Sequence, residues 1–127
     1  MIKSNGTVKL GDIGSAKIIN SKKTMDSLVG TCCWMAPEVI KGNEYDYSAD
    51  IWSLGCTTFE MLTGKPPFES QNNYGAMMKI VNYKEEDFII PPGLSYFAAD
   101  FIKCCLKKNN KERPNALILL KHPFLNN

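Results

Sequence analysis

The chain has 127 residues, enough for one domain with a real core. Hydrophobic residues make up 44% and charged residues 22%, which sets aside disordered and collagen-like chains. The net charge of +2 is too balanced to favour nucleic-acid binding, and no apolar run approaches the ~18 residues of a membrane span. The N-terminus has no apolar signal-peptide core. The five cysteines are two adjacent pairs and a singleton, Cys32, Cys33, Cys56, Cys104 and Cys105, a poor disulfide framework. With no C-x-x-C and His122 as the single histidine, a zinc site is not expected. The cysteines read as small apolar residues of a reduced, intracellular protein.

In chain order, Asn5-Gly6 signals a turn and Thr7-Val8-Lys9-Leu10 alternates like a short strand. The strand before the turn is nearly missing, as if the chain began inside a structural unit. Residues 11–35 lack sustained periodicity and read as a long loop, and loops of that length are usually functional or disordered. Residues 36–40 can form one helical turn, with Pro37 tolerated near its start. The strongest helix covers 49–62, with Ser48 as N-cap, Asp50 in the first turn and Gly64-Lys65-Pro66-Pro67 as the stop. It is apolar on more than one face, as befits a helix at the centre of something. Further helices are predicted from Asn73 to Val81, after a Ser95 cap, and from an Asn115 cap through Leu120, with His122-Pro123-Phe124 as the end. The basic run Lys103, Lys107, Lys108, Lys111 and Arg113 reads as a solvated face and loop.

These segments carry a resemblance. Val8-Lys9-Leu10-Gly11-Asp12-Ile13-Gly14 resembles the strand and D-F-G segment of eukaryotic protein kinases, with Ile13 in place of Phe. Gly30-Thr31-Cys32-Cys33-Trp34-Met35-Ala36-Pro37-Glu38 resembles the end of their activation segment, and Asp50-Ile51-Trp52-Ser53-Leu54-Gly55 the start of their central C-lobe helix. Glu112-Arg113-Pro114 and His122-Pro123-Phe124 resemble the lobe's last helical region. A lone D-x-G would mean nothing; the ordered set is specific and covers essentially the whole chain. Trp34-Met35 and the segment from Glu60 to Phe68 look like the sterile-type group, the mitogen-activated protein kinase kinase kinases. Thr31 favours Ser/Thr over Tyr specificity.

The resemblance implies a mainly α, partial kinase C-lobe without its N-terminal lobe: a strand remnant at 1–11, an activation segment at 12–38 and a helical part at 39–127. It implies transfer of the ATP γ-phosphate to Ser or Thr of a protein substrate, itself a kinase, in a cytoplasmic cascade. Asp12 would hold magnesium and Gly14 would give the turn beside ATP. Ser27, with Thr24 second, would be the regulatory phosphosite. Thr31 would join the active-site network, and Cys32 and Cys33 would lie under the peptide where relatives carry Pro and an aromatic. Glu38 and Arg113 would form a buried ion pair, and Asp50 would accept hydrogen bonds from the catalytic-loop backbone.

Other family parts are not in these residues. The Gly-rich loop, the ATP-binding lysine, the H-R-D aspartate and the metal-binding asparagine all precede D-F-G, and 11 residues precede Asp12. We therefore expect Met1 to be an internal methionine of a longer frame, or the gene to be truncated. The chain alone is expected to be inactive, to bind ATP and magnesium weakly, and to need the missing N-terminal half. The alternative is a non-catalytic interaction module, or a truncated pseudokinase remnant, that binds a kinase or its substrate.

Overall fold

The computed structural model describes Ser4, residues 6–9 and residues 32–126. Gly6 turns the chain at φ +80°, and Val8 makes a single β-bridge. Among the described residues there is no sheet, and the described part of the expected strand, residues 7–9, shows that bridge alone. The rest is helical: α1 (Pro37–Ile40), α2 (Ser48–Thr63), α3 (Asn73–Val81), α4 (Tyr96–Cys105), α5 (Ala116–Leu119) and α6 (Pro123–Asn126). Tight helical turns also form at Cys32–Trp34, Glu85–Asp87 and Asn110–Glu112.

The helix ends follow local chemistry. Asn72 Oδ1 accepts from the Gly75 N–H at 2.8 Å and starts α3. Ser95 Oγ accepts from the Ala98 N–H and starts α4, and Asn115 Oδ1 accepts from the Ile118 N–H and starts α5. Gly64 ends α2 in the left-handed region, with its N–H on the Glu60 carbonyl at 2.7 Å. Ser48 is not the cap of α2. It is the first helical residue, and the Asp46 carboxylate takes its N–H at 2.9 Å. The helix expected through Leu120 is α5, which closes before His122-Pro123-Phe124 as expected, but it is not the last one. Pro123 opens α6, where its missing N–H costs nothing, and His122 Nδ1 accepts the Phe124 N–H at 3.1 Å.

The core gathers around α2. Trp52 is fully buried, stacks on Phe68 at 5.5 Å and meets Tyr83 edge-on at 5.7 Å. Cys56, Phe59, Ile80, Ile102 and Leu106 complete this cluster. Beside it Ile51, Phe101, Cys105 and Leu119 form a second, with Phe124 packed on its edge. The helices α2 and α4 approach closely at Gly55, where an added Cβ would stand 2.6 Å from Cys105 Cβ. All five cysteines are free thiols, with Cys32, Cys56 and Cys105 buried.

The other side of α2 has no cover among the described residues. Leu54 is 41% exposed, Met61 72% and Leu62 43%. With Asp50 and Thr57, both exposed, Leu54 and Met61 form one stripe at helical spacing. No helix among the described residues is long and apolar enough to cross a membrane.

Candidate functional site

The described part of the site is a short segment, residues 32–38, clamped onto α2. Its first turn is closed by the Met35 N–H on the Cys32 carbonyl at 3.1 Å. Three side-chain bonds pin it. The buried Cys32 thiol donates to the Asn73 carbonyl at 3.4 Å, Trp34 Nε1 donates to Glu60 at 2.8 Å, and Ser53 Oγ donates to the Trp34 carbonyl at 2.8 Å. Glu60 and Ser53 lie on α2 and Asn73 opens α3, so both helices fix the segment.

Its far end is held by Glu38 and Arg113, 75 positions apart in sequence. Arg113 Nη1 donates to Glu38 Oε1 at 2.6 Å and Nη2 to Oε2 at 2.9 Å, a bidentate pair. The remaining guanidinium N–H groups reach backbone carbonyls: Nε to Lys107 at 2.8 Å, Nη1 to Ser48 at 2.9 Å and Nη2 to Lys108 at 3.5 Å. The Arg113 side chain is 0% exposed and that of Glu38 10%. Its guanidinium also lies 5.1 Å from the centroid of the Trp52 ring. A pair this buried is tolerated because its hydrogen-bonding capacity is so fully used. One contact set thus ties the start of α1, the start of α2 and the turn before α5.

Asp50 stands exposed on the first turn of α2, and its carboxylate has no hydrogen-bond partner among the described residues. Asp12, Gly14, Thr24, Ser27 and Thr31 lie outside the described residues. The groups to which the resemblance assigns ATP and magnesium are among them.

The basic run is not simply solvated, which corrects the sequence reading. Lys107 pairs with Glu85 at 2.8 Å, and Lys108 Nζ donates to the Val81 carbonyl at 2.6 Å and to the Tyr83 carbonyl. Lys108 therefore caps the C-terminal end of α3. The partners of these lysines lie more than twenty residues away, beyond any local sequence signal. The bonds from Ser53 and Trp34 were also invisible locally; the Asp50 to Gly55 motif marked the helix without saying what Ser53 holds.

Asp100, Cys104 and His122 also come together, their ligand atoms within 4.8 Å of one another. His122 Nδ1 accepts the Phe124 N–H, which puts the proton of the neutral ring on Nε2, facing Asp100 Oδ2 at 3.1 Å. A metal-ligating histidine has the opposite arrangement, with its second nitrogen as donor. The cluster is thus a structural latch between α4 and α6.

The protein kinase domain model matches residues 1–125. This chain belongs to the protein kinase family. It is 46% identical over 128 residues to mitogen-activated protein kinase kinase kinase 3 of Arabidopsis thaliana, covering 100% of this chain and 21% of that protein. It is 44% identical to mitogen-activated protein kinase kinase kinase YODA of the same plant, covering 100% of this chain and 14% of the relative. It is 43% identical to mitogen-activated protein kinase kinase kinase 19 of Mus musculus, over 98% of this chain and 10% of the relative. The kinase-domain segment thus spans about a fifth or less of these relatives.

Proposed function

We propose that these residues are the back half of the catalytic domain of a protein serine/threonine kinase. It transfers the ATP γ-phosphate to a protein hydroxyl, on a substrate that is itself a kinase of a mitogen-activated cascade. The observation that carries this reading is the Glu38–Arg113 clamp, which fixes residues 32–38 on α2 beside the place where the peptide would lie. The similarity to mitogen-activated protein kinase kinase kinases supports the cascade.

In this reading Asp12 holds magnesium and Gly14 leaves room for the turn beside the nucleotide. Bound ATP with magnesium would supply the phosphoryl group and neutralise its charge. Thr31 orients the active-site network, and a phosphate on Ser27, or on Thr24, adds negative charge that orders the loop. Asp50 takes backbone N–H groups of a catalytic loop that lies upstream, and the Leu54–Met61 stripe is covered by upstream helix. Both groups are exposed here, as that arrangement needs.

The test is transfer of labelled γ-phosphate to a mitogen-activated protein kinase kinase. The 127-residue chain alone should give none, because the base and the phosphate clamp are elsewhere. The same residues joined in frame to the front half of a related kinase domain should give transfer, lost in Asp12→Ala. A folded chimera that binds ATP and transfers nothing would refute the kinase reading. Stable capture of a kinase by the chain alone, without nucleotide, would move it to the interaction module.

A further inference from the structure

A shallow pocket of about 170 Å³ lies between the end of α1 and the turn before α5. Lys41, Asn43, Lys108, Asn109, Asn110 and Glu38 line it. We propose that this pocket binds a phosphate group, either free inorganic phosphate or a phosphate monoester carried on a side chain.

The charge of its wall is the first reason. Glu38 is the only carboxylate in the lining, and both of its oxygens are taken by Arg113. Lys41 and Lys108 both belong to the lining, and no free anion in the lining answers them. Lys41 is exposed and has no ion pair among the described residues. The Lys108 ammonium is held by the Val81 and Tyr83 carbonyls, which leaves the third of its N–H groups for a ligand. Burial first, and then the Lys41 charge, pull the Lys108 pKa below its ordinary value. An anion between the two lysines would relieve that repulsion.

Neutral donors are the second reason. The side-chain amides of Asn43 and Asn110 make no hydrogen bond among the described residues and line the same pocket, whereas the Asn109 amide is spent on Glu112 at 2.7 Å. A carboxylate would balance one lysine. A phosphate monoester carries roughly −1.5 to −2 near pH 7 and matches both, with oxygens left for the amides. This site does not depend on the kinase reading above; it uses none of the residues assigned to nucleotide or substrate.

Equilibrium dialysis of the full chain against radiolabelled inorganic phosphate, and against a serine peptide with and without its phosphate, tests this. Saturable binding of one phosphate per chain is expected, weakened at least about tenfold by Lys41→Glu and several-fold by Asn43→Ala. The Lys41→Glu chain should keep the near-ultraviolet dichroism of the parent, because that side chain holds nothing in the fold. Tighter binding of the phosphopeptide than of phosphate would assign the source to a modified protein, and equal binding to free phosphate. Absence of saturable binding, or binding unchanged in Lys41→Glu, would overturn the proposal.

Discussion

Arg113 concentrates more structural consequence than any other described side chain. It bonds Glu38 and three backbone carbonyls while covering Trp52. Glu38→Ala strands that guanidinium without its counter-charge, and a loss of roughly 3–5 kcal/mol is expected. That approaches the whole stability of a small domain, so the near-ultraviolet signal of the tryptophans should collapse. Arg113→Lys should also weaken the chain, because one ammonium cannot reproduce the planar fork. Replacing Glu38 and Arg113 together by apolar residues should cost less than Glu38→Ala, measured by urea unfolding. Two acids predict the response to pH. Hydrogen bonding from Ser48, whose backbone N–H meets the carboxylate at 2.9 Å, holds the Asp46 pKa below its ordinary value. For Glu85, burial raises the pKa, but Lys107 and the Lys108 N–H outweigh it and the net shift is downward. A depressed carboxylate pKa stabilises the fold above the unfolded value, about 4. That part is lost as pH falls through the folded values. Thermal unfolding scans from pH 6 to pH 3 should show a falling midpoint, with a smaller acid loss in Glu85→Gln.

At the scale of elements, caps and close approaches make the sharpest tests. Asn72→Ala and Ser95→Ala should each cost about 1 kcal/mol through a lost N-cap bond, read by denaturant unfolding. Gly55→Ala sets two effects against each other. Alanine gains up to about 1 kcal/mol of helix propensity, but overpacking costs roughly 1–3 kcal/mol. Its Cβ would meet Cys105 Cβ at 2.6 Å, an atom fixed to the backbone that cannot swing away, as well as Leu106 Cδ2 at 3.1 Å, so α4 must shift and the variant should be destabilised. Cys105→Ala would not rescue it, because the offending Cβ stays. Much of this level was legible in sequence. The range Asn73–Val81 is that of α3, and α2 extends one residue beyond each predicted end. The misses have physical reasons. Asp46 caps α2 from outside the position where a cap is sought, and α6 went unseen because the proline that closes off α5 also suits the first turn of a new helix. The Lys108 bonds at the end of α3 depend on packing alone. The Glu38–Arg113 pair could be anticipated only from the family resemblance, because no local pattern links residues 75 positions apart.

For the whole molecule, the uneven dressing of α2 is the central fact. One side is sealed by α4, Phe68 and Tyr83, and the other presents Leu54, Met61 and Leu62 to water. Exposed apolar surface of this kind promotes association. Sedimentation of the isolated chain should therefore show self-association, reduced by Leu54→Lys with Met61→Lys. The same double substitution should damage a longer protein in which upstream residues cover the stripe. The phosphate pocket lies against Glu38, away from that stripe in its lining residues, and should survive the change. The measurement that bears most directly on the account is the intact mass of the endogenous protein, captured with an antibody to its C-terminal residues. A species heavier than 14.2 kDa by at least ~15 kDa, the size of another domain-scale segment, is predicted. A single species at 14.2 kDa would contradict the assignment of these residues to the back half of a working kinase.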